Sequence, residues 1–207
     1  MDRKDRIVVL VGVVVLVVAV IGVMYHEKEY TAAEQTVEKY AYNVDWDEKT
    51  INLHDEGHVA KGEISNYTYS IDHDGLTQVK FELEWSDDLS RGFIIPWNWS
   101  DTIDMTISAP DSAVKFVGSN PVSGSASPLV IEAMLGNTPS SMQINASNET
   151  AVREILESEY ISKDGKGSWI SYVEITTKPF FFDRGNDFTL YVSYTYYEPI
   201  ITKVKTS

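Results

Sequence analysis

Cysteine is absent from the 207 residues, so no disulfide frames the chain, and neither a thiolate nucleophile nor a cysteine-ligated zinc site is open to it. Histidine is scarce: His26, His54, His58 and His73 are the only four, all early in the chain. No G-x-S-x-G elbow, P-loop or dinucleotide glycine pattern occurs, which removes the common hydrolase and nucleotide-binding arrangements. Positive charge is also short. Seventeen Lys and Arg face 31 Asp and Glu for a net charge of −14, and because residues 1–6 carry +1, the rest carries −15. Binding a nucleic-acid backbone needs a basic surface that displaces counterions, so nucleic acid is not an expected partner.

One long apolar run is present. Ile7 to Tyr25 reads IVVLVGVVVLVVAVIGVMY, nineteen residues without a charge. As a helix rising 1.5 Å per residue it spans about 28 Å, close to the hydrocarbon thickness of a bilayer. Signal peptides have shorter apolar cores ending at a small-x-small site, and Val20-Ile21-Gly22 is a poor one, so a retained single-pass anchor is expected. Arg3, Lys4 and Arg6 precede the run and His26-Glu27-Lys28-Glu29 follows it. The positive-inside bias then puts the N-terminus in the cytoplasm and the remainder outside. A cysteine-free domain in that place suits an archaeal or bacterial envelope better than an animal cell surface. The expected organisation is a cytoplasmic tail (residues 1–6), a transmembrane helix (7–25), a helical stalk or linker (26–49) and an extracytoplasmic domain (50–207). The stalk rests on Tyr30, Ala33, Val37 and Tyr40, which recur at helical spacing.

Further on the period falls to two. From Thr77 to Trp85, Val79, Phe81, Leu83 and Trp85 alternate with Lys80, Glu82 and Glu84, the mark of a strand with one buried face. Similar runs occupy Val59 to Ile64, Tyr67 to Ile71, Thr102 to Ser108, Val114 to Val117, Leu129 to Met134, Trp169 to Thr176 and Phe188 to Tyr197. Turn chemistry divides them at Asp74-Gly75, Pro110-Asp111, Ser119 to Pro128 and Arg184 to Asp187. Val152, Ile155, Leu156 and Tyr160 instead keep helical spacing, with Asn148 or Thr150 as N-cap and Gly165 beyond the end. About eight strands and one short helix predict a mainly β fold, an antiparallel sandwich.

The succession Gly62-Glu63-Ile64, LTQVKFELEWSDDL, DTIDMTISAP, GKGSWISYVEI and NDFTLYVSYTYYEP resembles the jelly-roll β-sandwiches appended to secreted proteases, the proprotein-convertase P domain and the bacterial pre-peptidase C-terminal domain. The likeness covers roughly residues 57 to 199. It implies a jelly-roll-like sandwich that binds or stabilises rather than catalyses, and a structural calcium held by loop-end carboxylates. The chain departs from the pattern in carrying no protease domain and in an unusually aromatic segment between Trp85 and Ile103.

Candidate sites follow from residue chemistry. Asp72, Asp74, Asp87, Asp88, Asp101 and Asp104 supply the hard oxygens that calcium takes, although no complete D-x-D-x-D-G loop is present; a solvated Asp-Gly turn is the competing reading. No other cofactor is expected. His54 and His58, four apart, would share a helical face, but Gly57 between them favours a polar turn. Sequons at Asn66, Asn98, Asn145 and Asn148 mark glycosylation sites. Trp97 and Trp99 flank one of them, which makes them candidates for contact with a partner, with plugging the end of the sandwich as the alternative; Phe180-Phe181-Phe182 reads as core packing.

These features point first to a non-catalytic binding or structural module of the cell envelope, held in a lipid bilayer and contacting an envelope protein or glycan. A second reading is a filament or motor component resembling archaeal pilins and archaellum stator proteins, which also join an N-terminal apolar helix to a β-sandwich. Against a processed pilin, Asp5-Arg6 stands where a small residue is expected. A third is an envelope hydrolase with a carboxylate pair.

Overall fold

Side-chain alternation of period two organises nearly everything after residue 40. The computed structural model describes residues 15–21, 38–86, 101–176 and 185–204. The chain divides into two units, Met1–Lys39 and Tyr40–Ser207. In the first, residues 15–21 form a helix (α1) whose valine, leucine and isoleucine side chains are exposed. Among the described residues no helix is long and apolar enough to cross a membrane. The remainder of the predicted Ile7 to Tyr25 span, the tail (residues 1–6) and residues 26–37 of the stalk lie outside the described residues.

Among the described residues the second unit holds ten strands, all paired antiparallel: β1 (Tyr40–Ala60), β2 (Ile64–Ile71), β3 (Leu76–Trp85), β4 (Thr102–Ser108), β5 (Lys115–Val117), β6 (Val122–Gly124), β7 (Leu129–Met134), β8 (Met142–Ala146), β9 (Gly167–Thr176) and β10 (Gly185–Lys203), with helix α2 (Glu149–Glu159) between β8 and β9. They form one sheet in the order β5-β7-β3-β10-β1-β8 and a second in the order β2-β9-β4-β6. The run β7-β3-β10-β1 against β2-β9-β4-β6 is a jelly-roll-like order, so the expected mainly β, antiparallel sandwich is present.

The start of the sandwich differs from the expected one. Tyr40 to Lys49, assigned from sequence to a helical stalk or linker, are the first half of β1. Tyr40, Tyr42, Val44 and Trp46 alternate, and that period-two signal begins on the residue where the helical one ends. The polar turn expected at His54 to His58 lies in the last third of the same strand, and the strand expected over Val59 to Ile64 is broken by a turn at Lys61–Gly62, where Gly62 takes φ +77 and Glu63 N–H bonds Ala60 C=O at 3.0 Å. Strand β6 lies in the segment expected to be all turn. It forms because the Asn120 side chain imitates a strand neighbour, accepting from Ile107 N–H at 2.9 Å and donating to Ile107 C=O at 2.7 Å.

Strands β1 and β10 pair without a break from Tyr42↔Lys203 to Ala60↔Gly185. Because register is unbroken and side chains alternate, odd residues of β1 and even residues of β10 share one face throughout. That face is buried at one end of the ribbon, where Val59, Phe188, Leu190, Val192 and Tyr194 join the main core with Phe81, Trp169 and Ile103. At the other end the opposite face is buried, where Tyr42 and Val44 join Ala146, Val152 and Leu156 in a second core closed by α2 and β8. Trp169 is fully buried, its indole N–H satisfied by Gly165 C=O at 2.8 Å. Asn148 caps α2 by accepting from Ala151 N–H at 2.9 Å.

Candidate functional site

Three neighbouring strands end in a recess of about 650 Å³, lined by Glu56 and Gly57 of β1, Glu84, Trp85 and Ser86 at the end of β3, Ser127 of the β6–β7 loop, and Asp187, Phe188 and Thr189 of β10. Register explains the arrangement. Thr189 sits opposite both Glu56 and Glu84, and Phe188 opposite both Gly57 and Trp85. Alternation then puts the two glutamates on the outward face, flanking Thr189, about 10 Å apart by two inter-strand spacings. The rings of Phe188 and Trp85 belong to the inward side. The Trp85 backbone N–H donates to Ser127 Oγ at 3.1 Å, tying the β6–β7 loop to the rim. Asp187 lies opposite His58, whose Nδ1 is 2.7 Å from Oδ1. Three outward carboxylates around Thr189 suit a cationic or hydroxyl-rich ligand.

At the open side of the sandwich between β1 and β2, Gly57 makes room for Tyr67. An ideal Cβ at Gly57 would stand 1.9 Å from the Tyr67 hydroxyl and 2.7 Å from Phe188 Cζ. Tyr67 packs edge-on against Phe188, ring centroids 5.7 Å apart. Burial first, then the Asp55 carboxylate, hold the hydroxyls of Tyr67 and Tyr69 above the ordinary phenol range, Tyr69 far above it. The Tyr69 hydroxyl is buried and makes no hydrogen bond of ordinary geometry.

Of the predicted calcium residues, the four that are described do not converge. Asp72 and Asp74 lie in the β2–β3 loop, where Asp74 accepts from Lys166 Nζ at 2.8 Å. Asp101 and Asp104 lie at the start of β4, at the opposite end of the sandwich; Asp101 is buried and Asp104 faces Thr176 at 3.5 Å. Asp87 and Asp88 lie outside the described residues. Among the described residues no group of three or more His, Asp or Glu is placed to hold a metal ion. His54 and His58 sit in a strand, not a turn, two pleats apart; His54 lies by Tyr191, centroids 6.3 Å apart, and His58 pairs with Asp187, so the two do not chelate.

Of the sequons, Asn66 is exposed on edge strand β2, with Thr68 on the same outward face beside Tyr172 and Ile170. Asn145 is exposed on edge strand β8, and Asn148 is exposed but serves as the α2 N-cap. Asn98, Trp97, Trp99 and Phe180 to Phe182 lie outside the described residues. Nothing in the sequence singles out the recess residues Glu56, Glu84, Asp187 and Thr189. Alternation within β3 marks Glu84 as outward-facing, but only cross-strand register brings it to Glu56.

No protein-family model matches the chain, and no curated protein matches it. Among solved structures it is similar to a Nora virus structure at 8% identity and TM-score 0.35, covering 79% of this chain and 63% of that one, so it spans under two thirds of that chain. It is also similar to desmodium yellow mottle tymovirus, at 8% identity and TM-score 0.27 over 78% of this chain and 92% of that chain. A third similarity is to the empty head of turnip yellow mosaic virus, at 12% identity and TM-score 0.28 over 75% of this chain and 84% of that chain. The jelly-roll-like fold follows from the strand order, not from these likenesses.

Proposed function

We propose that the chain is a non-catalytic binding module of a cell envelope, anchored by Ile7 to Tyr25 and holding a cationic group of an envelope partner in the recess at the end of its sandwich. The observation that carries the reading is the grouping of Glu56, Glu84 and Asp187 on the outward side of one recess, with Thr189 between the two glutamates. An ammonium or guanidinium group there meets carboxylates for charge and hydrogen bonding. The anchor is supported by nineteen uncharged apolar residues preceded by basic ones.

The test uses the full chain with a C-terminal tag. In membranes washed with alkaline carbonate the protein is expected to stay in the pellet, and protease added outside is expected to remove the tag. In detergent, Nα-acetyl-arginine amide at millimolar concentration is expected to change the tryptophan emission. Glu56→Gln combined with Glu84→Gln should weaken that response at least tenfold. A response unchanged in the double variant, or none in the parent chain, eliminates the recess reading; extraction by carbonate eliminates the anchor.

A further inference from the structure

Among the described residues, strand β1 has a partner on only one side for most of its length. Val204 N–H bonds Ala41 C=O at 2.8 Å, so the odd residues of β1 direct their backbone groups toward β10. With the register unbroken to Ala60, the even residues direct theirs the other way. From Tyr40 to Val44 that side is taken by β8. At the far end, His58 C=O accepts from Ser65 Oγ at 2.9 Å and Ala60 C=O from Glu63 N–H. Between them, at Trp46, Glu48, Thr50, Asn52, His54 and Glu56, no strand among the described residues pairs with the edge.

Two further features mark this edge as open. Leu53 and Asp55 have the parity of the core-facing side, yet Leu53 is 38% exposed and Asp55 is exposed as well, because among the described residues the second sheet ends at β2 and no further strand lies beyond it. The stretch from Asp45 to Glu56 also carries Asp45, Asp47, Glu48, Asp55 and Glu56 against Lys49 as its one Lys or Arg, and Lys49 is engaged by Asp47 at 2.5 Å. Edge charges guard sheets against pairing with one another, and here their common sign repels a second copy of this edge while attracting a strand of opposite charge.

We infer that the Trp46–Glu56 edge of β1 takes up an extended, lysine- and arginine-rich segment of a partner protein as an added antiparallel or parallel strand, its backbone bonding the outward N–H and C=O groups and its cationic side chains facing the carboxylates. This docking surface shares Glu56 with the recess but uses backbone groups of β1 from Trp46 to His54 that the recess does not, so each can fail without the other.

The experiment titrates the full chain in detergent with a fluorescein-labelled Lys-Val-Lys-Val-Lys-Val-Lys-Val-Lys peptide. Saturable binding is expected, with slowed amide exchange at Glu48, Thr50, Asn52 and His54. Asn52→Pro removes an outward N–H without touching a β10 ladder bond and is expected to weaken binding at least tenfold, whereas Asn52→Ala keeps it. Retained binding by Glu84→Gln separates the edge from the recess. A peptide N-methylated at alternate residues should not bind. The inference is overturned if the methylated peptide binds equally, if Asn52→Pro binds as the parent does while unfolding at the same temperature, or if no binding occurs. It is overturned as well if the chain alone forms dimers that Asn52→Pro dissolves, which would make the occupant a second copy.

Discussion

Gly57 is a strand residue whose value lies in the side chain it lacks. Its missing Cβ leaves space for the Tyr67 hydroxyl, and Tyr67 in turn braces Phe188 at the inner rim of the recess. Gly57→Ala is expected to cost about 1–3 kcal/mol, the usual range for forcing atoms into a filled site. Removing the offending hydroxyl should recover part of that loss. A double-mutant cycle with Tyr67→Phe, measured by urea unfolding, is therefore expected to show a favourable coupling above about 0.5 kcal/mol. Strictly additive costs would mean that the Phe188 contact, not the hydroxyl, sets the limit.

Helix α2 is short and polar on one side, and Val152 and Leu156 are its fully buried anchors. Its first turn depends on Asn148, whose side-chain oxygen satisfies the Ala151 N–H, while Arg153 pairs with Glu149 one turn along at 2.7 Å. The exposed ion pair adds little, and the cap stabilises the helix more. Asn148→Ala is expected to lower unfolding free energy by about 0.5–2 kcal/mol, and Asn148→Asp, which keeps the acceptor, by less. Thermal unfolding of the three proteins side by side checks the order. The helix is legible from sequence, with Asn148 one of two N-cap candidates beside Thr150, because every signal in it is local. Strands β3, β4 and β7 are legible for the same reason, one buried face producing clean alternation. Strand β8, by contrast, escapes a reading of the sequence: it is five residues long, and Met142, Ile144 and Ala146 gain their meaning only from pairing with β1.

Across the whole molecule, the β1–β10 ribbon runs through both cores, burying one face in the first and the other face in the second. Damage to either core therefore loads the same hydrogen-bonded ladder. Leu156→Ala, fully buried in the second core, is expected to cost about 2–5 kcal/mol. Far-UV circular dichroism and tryptophan emission should still report one coincident transition at a lower urea midpoint. Two separated transitions would show that the ends of the ribbon unfold independently. The long apolar run, the β class and most strand cores can be read directly, because hydrophobic periodicity is a property of neighbours in sequence. The recess, the open edge and the face switch cannot. Glu56, Glu84 and Asp187 are brought together by register between strands far apart in the chain, and the candidate calcium aspartates of the β2–β3 loop and β4 are driven to opposite ends by the same winding. Sequence alone assigns Tyr40 to the stalk, because it continues the helical spacing of Tyr30, Ala33 and Val37, although it is also the first residue of a strand period. Pairing with β8 and β10 decides between them, since only the strand satisfies backbone groups on both sides while burying Tyr42 and Val44.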